Sequence, residues 1–207
     1  MSYVPGFGNL LWLLGVLGIS AGFLYGIQFV DGDWKHCDRE RLWTVWTFAG
    51  ILSCMGLLSL AEQESPLAKV CLMALAIYLT VCTVMDSILC EVNDVVQYLG
   101  VLGGAVYVLQ RNPQPQVGVS LILFAGLQHF LFLRYYGGAD GMAFLICALY
   151  LAGMGKEADC FLFHMTLSYI LLAIVQGIAG NISKKGKLIT PVAMLPYICG
   201  SFLLMLL

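Results

Sequence analysis

Two aspartates lie within strongly apolar stretches of the sequence, where an acidic side chain needs a reason to be present. Asp86 belongs to the run AIYLTVCTVMDSILC, and Asp140 follows two glycines and an alanine in GGADGMAFLI. The other ten of the twelve acidic residues lie in or beside polar segments. An aspartate at the centre of a membrane helix costs about 2.5–3.5 kcal/mol on insertion scales, and less near the interface. These two residues are therefore the first candidates for a functional site.

A pair of carboxylates can carry out general acid–base hydrolysis of a peptide bond. Two facing carboxylates in a low-dielectric site cannot both ionise readily, so they hold one shared proton. One then takes a proton from water while the other protonates the scissile carbonyl, without a metal or a covalent intermediate. The small residues Gly137, Gly138 and Ala139 allow a substrate backbone to approach Asp140 closely. The alternative is structural: Asp140 caps a helix, and Asp86 pairs with a polar neighbour or reaches the interface.

The composition predicts the elements that must position these acids. The 207 residues are 60% hydrophobic and 11% charged, and the mean hydropathy is +0.89; a soluble domain carries about 25% charged residues. Because a bilayer needs roughly 20 apolar residues per helix, we expect an all-α, polytopic membrane helix bundle of about eight transmembrane helices. The candidate spans are about 9–30, 42–61, 67–90, 94–110, 117–136, 139–155, 159–180 and 191–207.

The order of these spans predicts that the two acids meet. Asp86 lies near the end of the third span and Asp140 at the start of the sixth, so two complete spans separate them and both belong to one membrane face. If the helices alternate in direction, seven of the ten basic residues also fall on that face. The positive-inside rule then makes it the cytoplasmic face and places both termini outside.

The remaining chemistry-bearing residues favour structural roles. The eight cysteines contain no CxxC pair and mostly lie inside apolar runs, where cysteine is a small packing residue. His129 and His164 lie within apolar spans, and no zinc-ligand spacing such as HExxH is present. We therefore expect no metal and no cofactor. The net charge of −2 gives no indication of nucleic-acid binding.

A stripe of glycines in the first span predicts a close helix contact. Gly18, Gly22 and Gly26 recur at four-residue spacing, the small-xxx-small pattern that lets two helix backbones approach. Packing within the chain is the main interpretation. A homodimer formed through the first helix is the alternative.

At the two acidic motifs the chain resembles the type IV prepilin leader peptidases and archaeal preflagellin peptidases, membrane aspartyl proteases of the GxGD class. In that family the first aspartate is followed seven and eight residues later by Pro-Asn or Pro-Asp, and Asn93 and Asp94 occupy these offsets from Asp86. The second motif is G-x-G/A-D, which GGAD at 137–140 matches. The ending KLITPVAMLPYICGSFLL is also similar to that of the family.

The sequence departs from the family pattern at three positions. Asn93 stands where the family commonly has proline, Met142 where many members have lysine, and Ala193 where the final motif has its first proline. The similarity covers roughly residues 67–207, a six-helix core, so residues 1–66 form two added transmembrane helices. The cysteine-bearing segment linked to N-methylation in bifunctional members has no counterpart here, and we expect no methyltransferase activity.

The resemblance implies Asp86 and Asp140 as catalytic residues of an aspartic endopeptidase in the cytoplasmic membrane of a prokaryote. Its partners would be membrane lipid and pilin-like, membrane-inserted precursors whose short basic leader is removed at the cytoplasmic face. Glu91 and Asp94 would attract that leader, and Asn93 belongs to the same substrate-binding segment; the alternative for the two acids is a solvated helix end. Two other functions stay open: a catalytically silent relative acting in pilus or secretion assembly, and a small proton-coupled transporter.

Overall fold

The computed structural model describes residues 7–30, 38–62, 64–132, 137–182 and 193–206, and within these ranges the chain is helical with no strand. Each of the eight α-helices corresponds in order to one predicted span, and it extends beyond that span by at most three residues or stops short of it. The helices are α1 (Phe7–Val30), α2 (Arg39–Glu62), α3 (Pro66–Leu89), α4 (Asp94–Arg111), α5 (Pro115–Leu127), α6 (Gly138–Gly153), α7 (Ala158–Ile182) and α8 (Leu195–Leu206). One π-helical segment, Gln128–Phe132, continues α5.

Four of these helices, α1, α2, α3 and α7, are long and apolar enough to cross a membrane, which indicates a membrane protein. The helices α6 and α8 are apolar but shorter, with 16 and 12 residues. The all-helical architecture predicted from composition is therefore confirmed.

Helix α3 lies at the centre of the bundle. It packs against α1, α2, α4 and α8, and thirteen of its 24 residues are buried. On the other side of α4 lies α6, which also contacts α5, α7 and α8. Because α4 packs on both α3 and α6, it is the main structural link between the helices that carry the two candidate acids.

Two local signals fix where α3 ends and α4 begins. Cys90 adopts the left-handed conformation that closes a helix C-terminus, with φ of 54°, and its N–H donates to the carbonyl oxygen of Asp86. The side-chain oxygen of Asn93 accepts from the N–H of Val95 at 2.9 Å and caps α4. The chain therefore reverses direction within residues 90–93, about one helical turn after Asp86.

Polar contacts tie the opposite end of α4 to the start of α3. Arg111 donates to Glu64 at 2.6 Å, and the amide of Gln110 contacts the hydroxyl of Ser65. Ser65 in turn caps α3 by accepting from the N–H of Ala68. We call this the Glu64 end of the bundle, and the end that holds Asp86 the Asp86 end.

The glycine stripe of α1 does not pack within the described part of the chain. A Cβ atom added at Gly18, Gly22 or Gly26 would meet no atom within 4 Å. The interpretation of this stripe as an intrachain contact is wrong for these residues, because α1 turns a different face toward α2 and α3. The buried positions Val16, Leu24 and Ile27 belong to that face.

Close packing instead depends on Gly153, and we expect Gly153→Ala to destabilise the bundle. An added Cβ would overlap the ring of Tyr107, which is stacked on Tyr150 with ring centroids 5.3 Å apart. Overpacking of this kind costs about 1–3 kcal/mol. Thermal unfolding in detergent measures the effect, with Gly118→Ala as the control because a Cβ there meets open space. Equal unfolding temperatures for the two variants would contradict this packing.

Candidate active site

Asp86 is held by the N-terminus of α8. It lies in the last turn of α3 with 6% of its surface exposed, and its Oδ2 accepts from the N–H of Leu195 at 2.8 Å. The N–H of Met194 also interacts with this carboxylate. Leu195 is the first residue of α8, where unpaired backbone N–H groups and the helix dipole stabilise an anion. A carboxylate 109 residues away in sequence therefore caps α8.

Asp140 lies in the first turn of α6. The helix begins after Gly137, which has no side chain to provide a cap, and the N–H of Gly137 interacts with the Asp140 carboxylate instead. This is the acidic half of a capping box, in which the third helical residue reaches back to the residue before the helix. Asp140 is partly exposed, whereas Asp86 is almost fully enclosed.

The two acids come together at one end of the bundle. Asp140 lies within range of a like-charge Coulomb interaction with Asp86. The end of α3 thus packs on the beginning of α8 and lies at the same end of the bundle as the beginning of α6, in agreement with the even number of helices between them. Two like charges within this range disfavour simultaneous ionisation of both carboxyl groups, which is one requirement for acid–base hydrolysis by a carboxylate pair.

Among the residues that the structure describes, few atoms lie close to the glycines before Asp140. Gly137 and Gly138 are exposed and Ala139 is partly buried. A Cβ added at Gly138 would meet no atom within 4 Å, and one at Gly137 would meet only Asp140, at 3.5 Å from Oδ2. An extended peptide can therefore approach Asp140 from this side without displacing a side chain of the described ranges.

Residues 91–94 follow α3 and lie at the same end of the bundle as the two acids, but they do not all serve the same purpose. Asn93 uses its side-chain oxygen to cap α4, which is a structural task. Glu91 and Asp94 are exposed at the same end of the bundle.

Arg41 of α2 donates to the carbonyl oxygen of Ser87 at 3.2 Å, so a basic residue also lies at the Asp86 end. Five of the seven basic residues predicted for this end lie outside the described residues, namely Lys35, Arg134, Lys184, Lys185 and Lys187.

A groove opens beside Asp86 between α2 and α8. Its volume is about 320 Å³, and α3 forms its floor through Thr83 and Ser87, which flank Asp86 in sequence. Phe48 of α2 and Gly200 of α8 line its sides, and Pro196 lies at the end where α8 begins. The groove therefore leads from the outer face of the bundle to the residues next to the buried acid.

Several residues that sequence reasoning missed also contact the site. Leu195 supplies the backbone N–H to Asp86, and Tyr169 of α7 lies within electrostatic range of Asp140. Gln97 of α4 donates to the carbonyl oxygen of Ala139 at 3.4 Å. Gln97 carried one available signal, since it is an amide within the apolar run that follows Asp94. The other two carried none.

No cluster of three or more histidine, cysteine or acidic residues suited to a metal ion occurs in the described ranges. Comparison of the chain with protein-family models, with curated proteins and with solved structures finds no match. The geometry of the site is therefore the basis for assigning a function.

Proposed function

We propose that this protein is a membrane-embedded aspartic endopeptidase in which Asp86 and Asp140 form the catalytic pair. The observation that supports this proposal is the convergence of two acids from separate helices, α3 and α6, at one end of an apolar bundle. Acids inside membrane helices are costly and mark functional sites. The resemblance of both motifs to the GxGD proteases supports the same assignment.

In this mechanism the pair holds one proton and acts on both sides of the scissile bond. The carboxylate partner takes a proton from a water molecule, and the protonated partner donates to the carbonyl oxygen of the substrate. The glycines before Asp140 admit the extended peptide backbone. The backbone N–H groups of Met194 and Leu195 hold the Asp86 carboxylate in place during the reaction.

The proposed substrates are pilin-like precursors that carry a short basic leader before an apolar helix. Glu91 and Asp94 lie exposed at the Asp86 end and attract the basic leader. The groove between α2 and α8 accepts the apolar part of the precursor from the bilayer. In this scheme about eight helices span the cytoplasmic membrane of a prokaryote, with residues 67–207 as the protease core and residues 1–66 added to it.

A second candidate function, a catalytically silent relative that acts in assembly, is favoured by one observation. Each acid already serves a structural purpose, because Asp86 caps α8 and Asp140 closes the first turn of α6. Substitution of either acid by asparagine distinguishes the two functions. The side-chain oxygen of asparagine still accepts from a backbone N–H, but an amide cannot take up and release a proton as a carboxylate does. A silent relative tolerates Asp86→Asn and Asp140→Asn, whereas a protease does not.

The orientation of the bundle can be tested with cysteine labelling. Cys90 is exposed at the Asp86 end, and Gln114 is exposed at the Glu64 end. With the other cysteines replaced, an impermeant maleimide added to intact cells should modify Gln114→Cys and leave Cys90 unmodified until the cells are permeabilised. The reverse pattern would place the acids outside the cytoplasm and would exclude removal of a cytoplasmic leader.

A further inference from the structure

Gln97 forms a buried polar link between the helices that carry the two acids. The side chain is 3% exposed. The hydroxyl of Tyr78 on α3 donates to its Oε1 at 2.8 Å, and its Nε2 donates to the carbonyl oxygen of Ala139 on α6 at 3.4 Å. Ala139 directly precedes Asp140 in sequence, and Tyr78 lies about two helical turns before Asp86. The amide therefore connects α3 to the first turn of α6 through α4.

Within the described residues, the interaction of the Asp140 carboxylate with the N–H of Gly137 is the main side-chain restraint that the first turn of α6 provides for itself. Gly137 and Gly138 have no side chains, and the residue before the helix makes no side-chain cap bond. Gln97 restrains this turn from outside. Because both ends of the Gln97 amide have partners, the orientation of the amide is set, and loss of either partner would leave a buried polar group unpaired.

A second polar link between the same two helices lies far from the acids. The hydroxyl of Tyr150 on α6 donates to the carbonyl oxygen of Cys71 on α3 at 2.9 Å. Cys71 lies roughly 22 Å from Asp86 along the helix axis, at a rise of about 1.5 Å per residue. Tyr150 is as deeply buried as Tyr78. It therefore offers a matched control for any effect of removing one buried hydroxyl.

We propose that Gln97 is the positioning residue of the site: it holds the turn that carries Asp140 at a set distance from Asp86, and Tyr78 fixes the orientation of its amide. The effect on rate rests on the proposed function, whereas the effect on distance does not. A displacement of about 1 Å between reacting groups can reduce a rate roughly 10²-fold.

The test measures the distance directly. Spin labels are attached to Cys90 and to Gly138→Cys, both at exposed positions, in the full chain with the other cysteines replaced. We expect Gln97→Met and Tyr78→Phe to broaden the distance distribution, and Tyr150→Phe to leave it unchanged. On the unlabelled protein, Gln97→Met should lower kcat roughly 10²-fold with little change in KM, and Tyr150→Phe should retain the wild-type kcat.

An unchanged distribution in Gln97→Met would overturn the proposal whatever the cleavage rate. Equal broadening in Tyr150→Phe would also overturn it, because the effect would then be general loosening of the bundle. If Gln97→Met does not fold, the distance distributions of Tyr78→Phe and Tyr150→Phe are compared instead. Broadening in Tyr78→Phe alone supports the proposal, and equal or no broadening overturns it. The distance distribution can broaden as expected while the wild-type protein cleaves no precursor. That result would support the positioning role of Gln97 and reject the protease function.

Discussion

Asp86→Asn and Asp140→Asn should each abolish processing of a co-expressed precursor while the protein accumulates at the wild-type level. Each change keeps the side-chain oxygen that accepts from a backbone N–H, at Leu195 or Gly137, but removes the group that exchanges a proton. Loss of general acid–base catalysis reduces rates about 10²–10⁴-fold. Gel mobility of the precursor in membranes measures the effect.

Asp94→Asn is the matched control, because Asp94 is an exposed acid at the same end of the bundle. Its loss should weaken attraction of the basic leader without stopping catalysis. Asp86→Ala adds a further distinction, because it leaves the N–H groups of Met194 and Leu195 without their acceptor and should destabilise the fold by about 1–3 kcal/mol. Wild-type processing by either asparagine variant would show that the carboxylates are structural.

Blocking the groove between α2 and α8 is expected to have the second largest effect. Gly200 lines this groove, and a Cβ added there meets no atom within 4 Å, so the Cβ of Gly200→Phe fits without overlap and its ring occupies space in the groove. If the apolar helix of the precursor enters here, its processing should fall at least about tenfold, since a clash of about 1.4 kcal/mol has that effect.

Two controls show whether this loss comes from the groove. Gly118→Phe introduces the same side chain on α5, at another position where a Cβ meets open space, and should process the precursor normally. A short soluble peptide with the leader and cleavage site but no apolar helix should be cleaved equally by Gly200→Phe and the wild type. Unchanged processing of the full precursor by Gly200→Phe would exclude this groove as the entry route.

The helices and the pairing of the acids could be predicted from the sequence for identifiable reasons. Apolar runs interrupted by segments such as EQESP and RNPQPQ mark helix ends through their hydropathy and turn residues, so most boundaries were predicted to within about three residues. The prediction that Asp86 and Asp140 lie at one end of the bundle depends only on the parity of the spans between them. It does not require knowledge of any side-chain contact.

Contacts between distant helix faces could not be predicted in the same way. Nothing local to Leu195 indicates that its N–H bonds an acid 109 residues earlier. The glycine stripe of α1 shows the opposite error, because its spacing favours a close contact but does not say with which surface. In an apolar chain nearly every helix face can be buried, so hydropathy alone does not select the face that packs.

The third function considered, a small proton-coupled transporter, also uses intramembrane acids. Here both acids lie at one end of the bundle, where α3 ends and α6 begins. Transporter sites instead lie near the bilayer midplane, between structural repeats. Placement at a helix end is better suited to hydrolysis of a precursor whose leader lies in the aqueous phase.

The central claim is that the two carboxylates act as one catalytic unit, and single-turnover cleavage with purified, reconstituted protein tests it most directly. The rates of the wild type, Asp86→Asn, Asp140→Asn and the double variant are compared on one precursor. We expect both single variants to lose about 10²–10⁴-fold and the double variant to be scarcely slower than either, since residues that act as a unit are strongly non-additive. Multiplicative losses in the double variant, or full activity in either single variant, would contradict the account.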